Sequence, residues 1–255
     1  MAEIAITRLA VTPVKAMRLQ PVDAIELGEE GASGNRRFYV IDARGEMVNG
    51  KRLGALQMIV STCENGELVL AFPDGREIRG TVEYGETVST RFFSRPRPVR
   101  ALDGPWSQAL SDFVGEPLAL VEAGSAVDRG RAAGVSLVSR GSLSRLAEAA
   151  DTDSVDVRRF RMLIEIDGVA PHAEDGWVGR RVRIGPALVA MHGHVGRCMV
   201  TTRNPDSGEV DFSTLHALAS YRREHPSAEP LPFGIYGEVL EGGAVRVGDP
   251  VALDG

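Results

Sequence analysis

The densest reactive chemistry in the chain lies in Met191-His192-Gly193-His194-Val195-Gly196-Arg197-Cys198-Met199-Val200-Thr201-Thr202. A thiol directly follows a guanidinium there, after a glycine-rich approach that lets the backbone come close to a neighbour. A nearby cation favours thiolate over thiol, and the thiolate is the form that attacks electrophiles and binds metals. Cys198 is therefore the first catalytic candidate, with Arg197 beside it. His192 and His194 stand two apart, so a regular strand places both on one face. With Cys198 they make a zinc-ligand set that needs one more donor or a water. The same histidines suit proton delivery, because an unperturbed imidazole titrates near neutrality. The plainer alternatives are a buried structural cysteine, one packed histidine and one solvated histidine. The spacing leaves these readings open.

The elements that must position these groups are mostly strands. Residues 4–14 and 22–27 are β-rich, and Asp23-Ala24-Ile25-Glu26-Leu27 alternates as a half-buried strand does. Phe38-Tyr39-Val40-Ile41 is apolar on both faces, which predicts a strand covered on both sides. Asn65-Gly66 lies between apolar runs at 56–63 and 68–72, the strongest short hairpin signal. With a further β-rich run at 81–93, the first ninety residues read as an antiparallel meander closed into a small barrel.

Helices come later. Trp106, Leu110, Phe113 and Val114 share a helical face ended by Gly115. Leu143, Leu146, Ala147 and Ala150 make a second stripe with Ser142 as candidate N-cap, and Leu215, Leu218, Ala219 and Tyr221 a third, stopped by Pro226. Strands are expected at 161–166, 181–184, 187–192 and 198–202, with a closing hairpin of 235–240 and 244–253. The fold class is thus mainly β with a few helices (α+β), as two packed β-barrel-like domains, residues 1–90 and 91–255.

Composition narrows the function classes. The 255 residues carry 29 basic and 35 acidic side chains, a net charge of -6, which works against nucleic acid as a partner. No apolar run much exceeds about five residues, where a spanning helix needs about 20, so no membrane partner is expected. The start has no secretory signal pattern, and a cytoplasmic location is expected. Two cysteines make no disulfide framework and cannot by themselves hold a four-cysteine cluster. No phosphate-binding loop or dinucleotide fingerprint is present. Arg37 and Arg161 each adjoin an aromatic residue in a segment expected to be buried, and buried arginine needs an anionic partner. Cys63, Trp106 and Trp177 read as packing.

Val195 to Thr202, followed by Asn204-Pro205-Asp206-Ser207-Gly208, resembles the central signature of the MOSC domain, named for the C-terminal domain of molybdenum cofactor sulfurase. Thr12-Pro13-Val14-Lys15, Arg37-Phe38-Tyr39, the Trp106–Gly115 segment, Phe160-Arg161, Ala173-Glu174-Asp175-Gly176-Trp177 and Gly248-Asp249-Pro250-Val251 are similar to other elements of that family, in order. The resemblance covers nearly the whole chain, with residues 1–90 as the family's N-terminal β-barrel domain and 91–255 as the MOSC domain. Within the family it is nearest to the amidoxime-reducing component and its bacterial relatives.

The resemblance implies a molybdenum–molybdopterin cofactor, with Cys198 as metal ligand and Lys15, Arg37 and Arg161 holding the pterin and its phosphate; Arg197, beside the thiol, is a further cofactor-binding candidate. It implies reduction of N-hydroxylated or N-oxide small molecules, with electrons from an external electron-transfer protein. A soft dithiolene site suits a thiolate, and arginine grips phosphate bidentately. Three departures stand out: Ala16 where a serine is usual, Met162-Leu163 for Pro-Asn, and Arg131-Ala132-Ala133-Gly134 in place of a polar run. Arg131 offers a compensating cation. Glu174 and Asp175 are expected to bracket a turn and pair with arginines. The alternative is a sulfur carrier with a Cys198 persulfide, or an anion-binding protein without molybdenum chemistry.

Overall fold

The computed structural model describes residues 3–92, 95–122, 124 and 127–254. The chain is mainly β, 42% strand with three α-helices, and no closed barrel forms among the described residues. Open sheets replace the expected barrels. Phe93, the last residue of the strand expected at 81–93, lies outside the described residues.

The largest sheet has eight strands, in the order Val251–Leu253, Arg181–Ile184, Ala187–His194, Ile235–Glu241, Val135–Ser139, Ile164–Asp167, Ala5–Val11 and Gln20–Val22. Its neighbours run antiparallel except Val135–Ser139 beside Ile164–Asp167. A parallel pair needs a long crossover, and the helix Arg140–Ala149 lies within it. The first strand thus joins the far half of the chain, with Ile6 opposite Ile166 and Leu9 opposite Ile164. A five-stranded sheet places Phe38–Asp42 between Leu118–Glu122 and Met47–Val48. Every residue of that strand is buried, as its two apolar faces require.

Two predicted local features form as written. Val60–Glu64 and Glu67–Ala71 pair across Asn65 and Gly66, which both adopt positive φ, at 49° and 80°. Ala24–Gly28 alternates, with Ile25 and Leu27 inward. The closing hairpin does not form. Ile235–Glu241 belongs to the large sheet, while Gly243–Arg246 pairs with Ala24–Gly28. Val245 is fully buried and finds its apolar partner, Ile25, in the N-terminal segment rather than next door.

Helix α1 spans Trp106–Val114, and the Gly115 amide closes it onto the Ser111 carbonyl at 2.8 Å. Trp106 is fully buried, and its indole N–H donates to the Leu68 carbonyl at 3.1 Å. Helix α2 spans Arg140–Ala149, and its N-cap is Ser139, not Ser142. The Ser139 hydroxyl accepts from the Ser142 amide at 3.1 Å, because Ser139 still has the strand's extended backbone when the helix begins. Helix α3, Thr214–Arg222, buries Thr214, Ala217, Leu218 and Arg222 and ends before Pro226.

Candidate functional site

A cleft of about 1510 Å³ collects residues from distant parts of the chain, among them Lys15, Arg36, Arg161, His192, Arg197 and Cys198. Cys198 is a free, exposed cysteine. Its backbone is tightly held. After strand Ala187–His194, the Val195 amide donates to Gly234 at 2.9 Å and the Arg197 amide to Pro230 at 3.0 Å. The Cys198 carbonyl then accepts from the Thr201 amide at 3.0 Å, opening the 3-10 turn Met199–Thr202. A side chain at Gly196 would meet Glu229 Oε2 at 2.7 Å, so the glycine permits this close approach.

Arg197 is the buried pin of this segment. Its Nε donates to the Phe233 carbonyl and its Nη1 to the Phe160 carbonyl, both at 2.9 Å. Burial pushes it down to about 9, against the pull of the Cys198 thiol. Arg161 lies at the left-handed end of the turn Val157–Phe160 and donates to the Met17 carbonyl at 2.6 Å. Burial, with repulsion from Arg36, pushes it down to about 9 as well. Arginine gives up its proton so reluctantly that a shift of this kind marks a cation short of negative charge.

Arg36 completes the group and was not singled out in the sequence. It also has positive φ, 52°, and its Nη2 donates to the Arg161 carbonyl at 2.6 Å. Its buried Nε has no hydrogen-bond partner among the described residues. Lys15 contacts Asp128, yet burial still pulls its ammonium below the usual lysine range.

The structure brings Lys15, Arg161, His192, Arg197 and Cys198 together, and separates two other expected residues from them. Arg37 does not line the cleft. It turns to Glu122 and to the Tyr84 hydroxyl, the latter at 2.6 Å. Successive residues entering a strand face opposite ways, and it is Arg36 that shares the cleft side. The adjacent Arg36-Arg37 pair was the available signal, but only the backbone decides its parity.

His194 is absent from the lining as well. A register shift between Met191 and Gly193 breaks the alternation that would have kept both histidines on one face. His192 stays on the cleft, 3.3 Å from Glu238 Oε2. His194 turns to Asp175, 3.7 Å away, and to the His225 ring. The zinc set of His192, His194 and Cys198 therefore does not converge.

The departures also resolve. Leu163 is buried in the main core, and Arg131 reaches Glu29 at 3.1 Å and Glu238 at 3.5 Å. Among the described residues Glu174 pairs with no arginine. Fully buried, it accepts from the Ser139 amide at 3.0 Å and from the Ser139 and Ser142 hydroxyls at 2.8 and 2.6 Å. Asp175 does pair with an arginine, Arg222, at 2.7 Å.

The MOSC domain family matches residues 124–252, and the MOSC N-terminal beta barrel domain matches residues 3–117. The chain belongs to the MOSC family. This MOSC chain is 28% identical to mitochondrial amidoxime-reducing component 1 of Danio rerio, over 96% of its length and 83% of that protein's. Its likeness to the human protein of that name is also 28%, over 98% and 83% of the two chains. It is 25% identical to molybdenum cofactor sulfurase of Oryza sativa subsp. japonica over 94% of its length, spanning only 34% of that larger protein. Among solved structures, the YUAD protein of Bacillus subtilis aligns with a TM-score of 0.47 at 12% identity, over 98% of this chain and 94% of that one. The family match and these relatives link the chain to molybdenum-cofactor proteins at the level of the family.

Proposed function

We propose that this MOSC protein is a molybdenum-cofactor-dependent oxidoreductase that reduces N-hydroxylated or N-oxide small molecules. The supporting observation is an exposed free thiol, Cys198, on a cleft whose cations Arg36, Arg161 and Arg197 are short of negative charge. A molybdopterin phosphate supplies that charge and its metal takes a soft ligand, so the residues fit the group. Cys198 would hold the metal, while Arg36, Arg161 and Lys15 would hold the pterin and its phosphate.

When bound, the cofactor supplies two-electron, oxygen-atom-transfer chemistry. The chain's own contribution is placement. Arg197 locks the Cys198 segment against the Phe160 and Phe233 carbonyls, fixing where the thiolate stands. His192, exposed on the cleft beside Glu238, is suited to hand a proton from Nε2 to the departing oxygen. Overall, the N–O bond breaks, two electrons and two protons are consumed, and water leaves. The electrons come from a separate redox protein, since two cysteines cannot build a four-cysteine cluster. A cytoplasmic setting belongs to the same proposal. Among the described residues, no helix is long and apolar enough to cross a membrane.

The test is elemental analysis of protein produced with the cofactor available. Molybdenum near one per chain in the wild type, absent from Cys198→Ser and depleted in Arg36→Gln, is the expected result. Sulfane sulfur on Cys198 without molybdenum would instead establish the sulfur-carrier reading.

A further inference from the structure

Away from the cleft, Asp175, His194 and His225 converge from three separate segments, each offering a ligand atom within 4.8 Å of the others. Asp175 comes from the turn Ala173–Trp177, His194 from the end of strand Ala187–His194, and His225 from the chain just beyond α3. The His194 and His225 rings meet edge to face, 4.9 Å between centroids. All three residues are half-buried.

The polar atoms here are unusually poorly satisfied. Among the described residues, ten buried side-chain nitrogens and oxygens make no hydrogen bond, and six of them, besides the ion-paired Arg222 Nη2, belong to this cluster and its immediate neighbours. They include Asp175 Oδ1, His194 Nε2 and His225 Nδ1, with both ring nitrogens of His172 and the Tyr221 hydroxyl close by. Natural proteins rarely leave buried polar atoms unpaired, and such atoms are met by ordered water or an ion. Arg222 Nη2 lies 2.7 Å from Asp175 Oδ2, with His225 Nε2 3.5 Å from that oxygen and His194 Nε2 3.7 Å from Oδ1, so Oδ1 has no hydrogen bond and faces an imidazole nitrogen.

We infer that Asp175, His194 and His225 bind a divalent first-row transition cation of the zinc or cobalt type. Two imidazoles and one carboxylate are the donors such borderline ions take, with water completing the shell. An oxygen-seeking ion such as magnesium or calcium finds too few oxygens. The cation ties α3, the Ala173–Trp177 turn and the Ala187–His194 strand together. It thereby anchors the segment that continues to Cys198, without touching the cleft.

Cobalt(II) titration of the purified protein tests this, read by ligand-field absorption and by the thermal shift that accompanies binding. Saturation at one cobalt per chain, displaced by zinc, is expected. Affinity should fall at least about tenfold in His225→Ala and in His194→Ala, the scale at which metal sites respond to altered ligation. Cys198→Ser and His192→Ala should bind as the wild type does, so the outcome is independent of the molybdenum proposal. In the wild-type cobalt protein, paramagnetically shifted imidazole ring protons should appear in the NMR spectrum, a readout that needs no variant to fold. Absence of saturation by about millimolar cobalt, absence of shifted imidazole signals, or binding lost in Cys198→Ser would overturn the assignment.

Discussion

The Arg36 guanidinium donates Nη2–H to the backbone carbonyl of Arg161 at 2.6 Å, and both residues have left-handed backbones. Residues 125 positions apart thus hold two cations together on one wall of the cleft. Like charges in a poorly solvated place repel, and an anion between them converts that repulsion into attraction.

The sign of this effect can be read in unfolding experiments. Without added anion, Arg36→Gln should leave the protein as stable as the wild type or more so. Phosphate or pyrophosphate should raise the wild-type Tm, and Arg36→Gln should lose about 1.5–3 kcal/mol of that gain, the worth of a hydrogen bond to a charged group. Arg37→Gln should keep the whole anion response, because Arg37 faces Glu122 and Tyr84. An anion response lost in Arg37→Gln and kept in Arg36→Gln would reverse the assignment.

The two thiols should differ in alkylation. Cys198 is exposed, whereas burial pushes the Cys63 thiol up. Peptide mass spectrometry after brief iodoacetamide treatment at pH 8 should find Cys198 modified and Cys63 spared. Reactivity follows thiolate fraction and access together.

Acid should weaken the fold through Asp42. Burial alone would raise its carboxyl, but the Glu46 and Arg44 amides and the Arg52 guanidinium outweigh it and hold the group below the usual carboxylate range. A depressed folded pKa means that the stabilisation is complete above the unfolded value, about 4, and fades as pH falls through the folded one. Asp42→Asn should therefore cost about 1.5–3 kcal/mol at pH 7. In urea unfolding, the gap to the wild type should narrow at pH 3.

Glu174 is a structural acceptor for the start of α2. Glu174→Ala leaves the Ser139 and Ser142 hydroxyls without their buried partner, a loss of about 1–3 kcal/mol for each group stranded. Turnover per bound molybdenum should be unchanged in any folded Glu174→Gln protein. A collapse of turnover with full metal content would instead make Glu174 part of the chemistry.

Much of the local structure was legible because it rests on neighbours in the chain. The Asn65-Gly66 turn, the alternation of Ala24–Gly28, the doubly covered strand at Phe38 and the end of α1 at Gly115 each follow from residues a few positions apart. The chemistry-bearing residue types were legible in the same way. Of the site residues, Lys15, Arg161, His192, Arg197 and Cys198 do reach one cleft.

Two local readings failed, the N-cap, which is Ser139 and not Ser142, and the strand expected at 198–202, which is a 3-10 turn, and the other failures depended on long-range registration. One shift of register inside Ala187–His194 sends His192 to the cleft and His194 to Asp175, although the sequence pattern places them on one face. The choice between Arg36 and Arg37 turns on which of two successive residues faces the cleft where the chain enters Phe38–Asp42. Gly243–Arg246 crosses to Ala24–Gly28 because the apolar surface awaiting it lies there. Side-chain type, turn chemistry and strand periodicity are properties of short stretches, so the chain's letters alone determine them. Which face a residue presents, and which distant residue it meets, depends on sheet pairing across more than a hundred positions, and only the folded chain sets that pairing.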